Sequence, residues 1–271
     1  MTDPAGEPRP LIQGLSFGRL VSVVDLTINA RSRDVIRDRA AAENVVVSRD
    51  VTPDPEVQAI VDWAVTQAAP LANARVGTIT ADLVRGTAPE QPLGDVIADA
   101  QLAATTGAGA QVAMTNPGGI RTDLSYASST AGEGAGVVTY GEAFSVQPFA
   151  NISQTITLTG ADLKAVLEQQ DQAGGFRWLQ ISSTLHYTWT RSAADGSNVS
   201  NLTIAGKPVD PAASYRVTVN NFLAAGGDGF AAFTRGTNLT GGPIDLDAFT
   251  AYLTAHPNLS PPPADRITVV S

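Results

Sequence analysis

An α+β fold, with a mixed β-sheet carrying helices on both faces, is what this sequence predicts, and three observations lead there. Alternating apolar runs at residues 152–158, 185–190 and 215–220 read as half-buried strands. Between them lie segments whose apolar residues recur at helical spacing, such as Val57, Ile60, Val61, Ala64 and Val65. At 271 residues and 43% hydrophobic, the chain is long enough for one large domain, or a domain plus an appendage.

Residues 10–28 alternate around Ser16-Phe17-Gly18 and read as a hairpin. Pro53-Asp54-Pro55-Glu56 opens a helix with Asp54 as its cap. Leu93, Val96, Ile97 and Ala100 mark a second helix, and Thr139 with Glu142 makes a capping-box pattern for a short third. After the strand at 152–158, Thr159-Gly160-Ala161-Asp162 starts a helix running to Gln170, with Leu163, Val166 and Leu167 as its buried face and Gly174-Gly175 as its stop. Strands around 179–182, 185–190 and 201–204 form a hairpin system with a turn at Ala194-Asp195-Gly196-Ser197, and 247–254 is a last short helix. Trp63, Trp178 and Trp189 sit where core or interdomain burial is expected; Tyr140 and Phe144 are read as packing residues.

A net charge of −9 without basic runs argues against nucleic-acid binding, which depends on neutralising many phosphates, but leaves a mononucleotide open. No apolar run reaches membrane-spanning length, and residues 1–6 are too polar for a secretory signal. The absence of cysteine rules out disulfides and zinc-thiolate sites.

Two motifs carry chemistry. Asn221-Phe222-Leu223-Ala224-Ala225-Gly226-Gly227-Asp228-Gly229-Phe230 follows a strand with glycines that let backbone approach a ligand, an aromatic face and a carboxylate. Taken alone, a tight loop with Phe222 in the core is the simpler reading. Asn116-Pro117-Gly118-Gly119-Ile120-Arg121 follows the short apolar run Val112-Ala113-Met114-Thr115 and offers turn amides and a guanidinium, the usual donors for phosphate or carboxylate. Gln147-Pro148-Phe149-Ala150-Asn151 adds a second aromatic, so two rings from distant loops could sandwich a base.

In order and character, residues 92–100, 116–121, 147–151 and 221–230 resemble the C-terminal substrate-binding domain of the 5'-nucleotidase and UDP-sugar hydrolase family, over the span from about residue 75 to the end. The resemblance implies that Phe149 and Phe222 stack the base, that Asp228 accepts the ribose hydroxyls, and that Arg121 and Asn116 contact the phosphate and nucleoside portions. It also implies substrate contacts from Arg85 and from the glycines Gly118, Gly119 and Gly227. In relatives a glycine after the strand at 179–182 lines the pocket; here Ser183 and Thr184 follow it, which leaves base selectivity open.

Family enzymes hydrolyse phosphate esters with two divalent metal ions held in a separate N-terminal metallophosphoesterase domain. Only His186 and His256 occur here, with no local ligand partners, so no metal-ligating and no catalytic residue is assigned to this chain. The expectation is a stump of the metallophosphoesterase domain at 1–50, an interdomain linker helix at 51–74, and the substrate-binding domain at 75–271. The parent would act outside the cytoplasmic membrane, as family members do, hydrolysing nucleotides to nucleoside and phosphate; the chain alone would bind nucleotide or nucleoside. Two other readings stand beside this one: a stand-alone, non-catalytic nucleoside-binding module, and a structural partner domain with a degenerate pocket.

Overall fold

The computed structural model describes residues 1–86 and 88–271. In chain order the elements are β1 (Leu20–Asp25), β2 (Ala41–Val46), α1 (Pro55–Ala72), β3 (Arg75–Thr78), α2 (Pro92–Ala104), β4 (Val112–Thr115), β5 (Val137–Thr139), α3 (Tyr140–Val146), β6 (Ile152–Thr159) and α4 (Gly160–Glu168). They continue with β7 (Gln180–Ile181), β8 (Leu185–Thr190), β9 (Val199–Ile204), β10 (Lys207–Pro208), β11 (Ser214–Asn220), α5 (Asn221–Ala224), β12 (Thr237–Ile244), α6 (Asp245–Ala255) and β13 (Ile267–Val270). Two compact units divide the chain, Met1–Val65 and Thr66–Ser271.

The first unit holds the antiparallel pair β1–β2, with Leu20 opposite Val46 and Asp25 opposite Ala41. This is not the hairpin expected at 10–28: residues 10–15 form no strand, and β1 pairs instead with β2, which follows it after residues 26–40. Asp54 caps α1 as expected, its Oδ1 accepting from the amides of Glu56 (2.9 Å) and Val57 (3.1 Å). The apolar face of α1 is not buried: Ile60 is 67% exposed and Trp63 66%. Trp63 is thus outside the core of this chain, whereas Trp178 and Trp189 are in it.

The second unit is built on a five-stranded sheet, β12-β6-β11-β4-β7, in which only β11 and β4 run parallel. A four-stranded sheet, β10-β9-β8-β13, has one parallel pair, β8 with β13. Both sheets are thus mixed, and the α+β class predicted from sequence holds. Val217 and Val219 of β11 share a core cluster with Leu163, Val166 and Leu167 of α4. Thr218, between those valines, points to the other face, where its hydroxyl meets Thr105 at the end of α2 (2.7 Å) and Thr155 of β6 (2.8 Å). Helices α4 and α2 consequently cover opposite faces. A second cluster joins α2 (Leu93, Val96, Ile97) to α6 (Phe249, Leu253) and to Val138 of β5.

Local signals act where they were read. Thr139 and Glu142 form the reciprocal capping box of α3, and Thr159 caps α4 through the amide of Asp162 (3.0 Å). Phe144 on α3 departs from its expected packing role and is 48% exposed. The segment after β11 departs too: it does not run straight into a loop but makes the helical turn α5, because the side chain of Asn220 accepts from the amide of Leu223 (2.8 Å).

Candidate functional site

Three chain segments that end sheet strands or follow helices meet at one cavity of about 290 Å³, and it is lined by Asn116, Arg121, Phe149, Asn151, Phe222 and Asp228, with Gly118 and Gly119 between them. Strand β4 is wholly buried and delivers Asn116, 4% exposed, at its end. Asn116 is a relay: its Oδ1 accepts from Nδ2 of Asn220 (3.0 Å), and its own Nδ2 donates to Oδ2 of Asp228 (2.6 Å). The ends of β4 and β11 are thereby tied to the carboxylate.

Phe222 rides on α5 and is 44% exposed, while Phe149 follows α3 and is 52% exposed. Two large rings left open beside one carboxylate are an unusual use of apolar surface, since such side chains normally go to the core. The guanidinium of Arg121 lies 5.6 Å from the centre of the Phe149 ring, a cation–π contact, and Nη1 donates to the carbonyl of Gly118 (3.3 Å). Gly226, in the left-handed region at φ +85°, turns the chain so that Asp228, itself at φ 54°, faces the cavity.

Two of the expected contact residues lie elsewhere. Arg85 does not line the cavity; its Nη1 donates to the carbonyl of Ile120 (2.6 Å) and its backbone amide to Asp123 (2.7 Å), so it braces the turn that carries Arg121. Gly227 stands behind the Phe222 ring, where an added Cβ would sit 2.5 Å from the ring's Cε1. Ser183 and Thr184 are also away from the cavity. The Ser183 amide donates to Asp99 (2.7 Å) and the Thr184 hydroxyl to the Gln111 carbonyl (2.7 Å), which joins the strand ends to α2.

Asn151 is the lining residue that reading the motifs did not single out, although it closes the segment containing Phe149. Its Nδ2 donates to Oδ2 of Asp245 (3.1 Å), and the Asp245 amide donates back to its carbonyl (2.8 Å). Asp245 is buried at the start of α6; burial pushes its carboxyl up from the usual carboxylate range, against the pull of the hydrogen bonds from Asn151 and Leu246. No local signal links two residues so far apart in sequence.

The cavity combines flat apolar faces with a carboxylate, an amide and a guanidinium, a set suited to a ring bearing hydroxyls and an anionic group. No group of three or more His, Cys, Asp or Glu side chains among the described residues is arranged to hold a metal ion. His186 is a residue of β8, and His256 closes α6 with its ring stacked 3.9 Å from that of Tyr252. A two-metal centre thus does not fit the described residues.

Residues 71–235 match the family described as 5'-nucleotidase, C-terminal domain, more than half of the chain. The chain belongs to that family. The cell wall protein Lmo0130 of Listeria monocytogenes is 33% identical over 257 residues, covering 90% of this chain and 32% of its own length. The protein UshA of Yersinia enterocolitica is 28% identical, covering 88% of this chain and 41% of its own length. Among solved structures, the 5'-nucleotidase precursor of Thermus thermophilus superposes with a TM-score of 0.71 at 27% identity, over all of this chain and 54% of that one. This chain spans about a third of the Listeria protein.

Proposed function

We propose that this chain is the nucleoside-recognition part of a 5'-nucleotidase-type phosphoesterase. The base stacks between Phe149 and Phe222, Asp228 accepts the ribose hydroxyls, and Asn116 and Arg121 take the nucleoside and phosphate portions. The observation that carries the reading is the convergence of two exposed rings, a carboxylate and an arginine on one cavity. Stacking suits a base because every base has a π-face.

The parent enzyme hydrolyses nucleotides with two divalent ions in a separate metallophosphoesterase domain, on this reading, and residues 1–50 are that domain's last strands, with 51–74 as a linker. The length of the relatives and the exposed apolar faces of β1, β2 and α1 support it. An extracytoplasmic place follows from the same kinship and from the cell wall designation of the Listeria relative. Positioning and chemistry are then divided: this domain holds and orients the nucleoside while metals elsewhere activate water.

Calorimetric titration with adenosine and AMP, with and without manganese, is the direct test. Binding of both ligands, indifferent to metal and lost in Phe222→Ala, is expected; binding that survives both Phe222→Ala and Asp228→Ala would exclude this cavity as the nucleoside site.

A further inference from the structure

Asp228 takes a backbone conformation that few residues other than glycine adopt. It has a left-handed backbone at φ 54°, flanked by Gly226 at φ +85° and Gly229 at φ +83°. Aspartate is one of the few non-glycine residues that visit this region, and its conformation here is fixed by contacts with neighbouring segments. What holds it comes from the segment after α4. Gln172 donates through Nε2 to the backbone carbonyl of Asp228 (2.8 Å) and to that of Gln169 (3.0 Å), tying the loop to the end of the helix. Arg177 donates through Nη1 to Oδ1 of Asp228 (3.1 Å), while its own amide donates to the carbonyl of Gln170 (2.8 Å). Gly229 is part of the same fit, because a Cβ there would come within 2.9 Å of the Gln172 amide nitrogen.

The carboxylate is therefore gripped on both oxygens, Oδ2 by Asn116 from the sheet and Oδ1 by Arg177 from the loop. With one anchor it could swing about that single bond; with two, its plane is fixed. Each oxygen keeps a free lone pair, since an ionised carboxylate offers about four acceptor sites. A fixed carboxylate plane matches two adjacent hydroxyls at once, the arrangement of the 2' and 3' groups of ribose.

We propose that Gln172 and Arg177 are positioning residues that orient Asp228 and thereby set selectivity for ribose over deoxyribose. The inference rests on the nucleoside reading of the cavity. Neither residue lines the cavity, and both act through Asp228. Arg177 is half exposed, so its removal leaves the core untouched.

The test compares adenosine, 2'-deoxyadenosine and 3'-deoxyadenosine by titration calorimetry on the full chain and on its Arg177→Ala and Gln172→Ala variants. Amide hydrogen exchange of residues 226–230 is measured without ligand. Loss of a charge-assisted hydrogen bond predicts adenosine binding about tenfold weaker in Arg177→Ala, with the two deoxynucleosides changed far less, so the ribose preference narrows. Faster exchange at 226–230 in both variants, with an unchanged melting temperature, is the accompanying expectation. Unchanged exchange or an unchanged ribose preference overturns the positioning role. A wild-type chain that binds no adenosine instead overturns the nucleoside reading, and the selectivity with it, while the exchange result still judges the grip on the Asp228 loop.

Discussion

Phe222 can lie where it does because residue 227 has no side chain. A Cβ on Gly227 would meet three atoms of the Phe222 ring at 2.5–2.6 Å, closer than carbon atoms approach in folded proteins. The backbone of Gly227 is not left-handed, so alanine is sterically allowed there apart from the ring. Gly227→Ala should therefore displace Phe222 rather than unfold the domain. Adenosine affinity should fall about tenfold or more, with the melting temperature within a few degrees of wild type, because one displaced aromatic contact is worth roughly 1–3 kcal/mol in stacking. Calorimetry paired with thermal unfolding checks it, and a variant of unchanged affinity would show that the ring does not have to stay at this position to bind.

Helix α2 carries its own titrating device in its first turn. Asp95 is 1% exposed and neither of its carboxyl oxygens has a hydrogen-bond partner. Arg266 is the cation beside it, 3.9 Å away, but that guanidinium is already bonded to Asp99 (2.8 Å) and to the carbonyl of Ile181 (2.6 Å). Glu90, the third carboxylate of the group, accepts the amides of Asp265, Arg266 and Ile267 and so fastens β13 to the start of α2. Burial is the main cause that pushes Asp95 up to about 8; Arg266 opposes it, and Glu90 and Asp99 add to it. The folded chain thus keeps a proton that the unfolded chain has already released. Its contribution to stability is full below about pH 4 and is lost as pH rises through about 8. Asp95→Asn removes the titration and keeps the shape. We expect a variant whose melting temperature is flatter from pH 5 to 8.5 and higher than wild type at the alkaline end. Equal alkaline losses in both proteins would rule Asp95 out as the source. Such a group also marks the limit of reading elements from sequence. Asp54, Thr139 with Glu142, and Thr159 announce their helices because cap and amide lie within three residues. Strand β12 is silent, for Thr-Asn-Leu-Thr-Gly-Gly-Pro-Ile lacks alternation and pairs at the sheet edge with two register shifts. Likewise β13 depends on Glu90, far away in sequence, and Asn151 on Asp245; the rings and the glycine turns of the cavity were legible, but the groups that aim Asp228 and Asn151 were not.

At the scale of the whole chain, stability is divided unevenly. Both hydrophobic clusters consist of residues between Val76 and Val269, so the unit Thr66–Ser271 carries its own core. The unit Met1–Val65 has no fully buried residue, and its hairpin has two strands only. A two-stranded hairpin is marginal in water, and an apolar strand edge with nothing beside it invites pairing with other chains. Local opening should therefore separate the two units on an exchange timescale. Amides of β1 and β2 should exchange through local opening with little protection, whereas those of β6 and β11, central in the five-stranded sheet, should exchange only through global unfolding. Denaturant should accelerate exchange in β6 and β11 steeply and leave that of β1 and β2 almost unchanged. Hydrogen-exchange mass spectrometry at rising urea reads both slopes in one experiment. If β1 and β2 showed the same steep dependence as β11, the hairpin would have to be part of the cooperative unit. Its exposed valines, Val21, Val24, Val45 and Val46, would then need a covering partner, such as a second copy, and protection that rises with protein concentration would identify that partner.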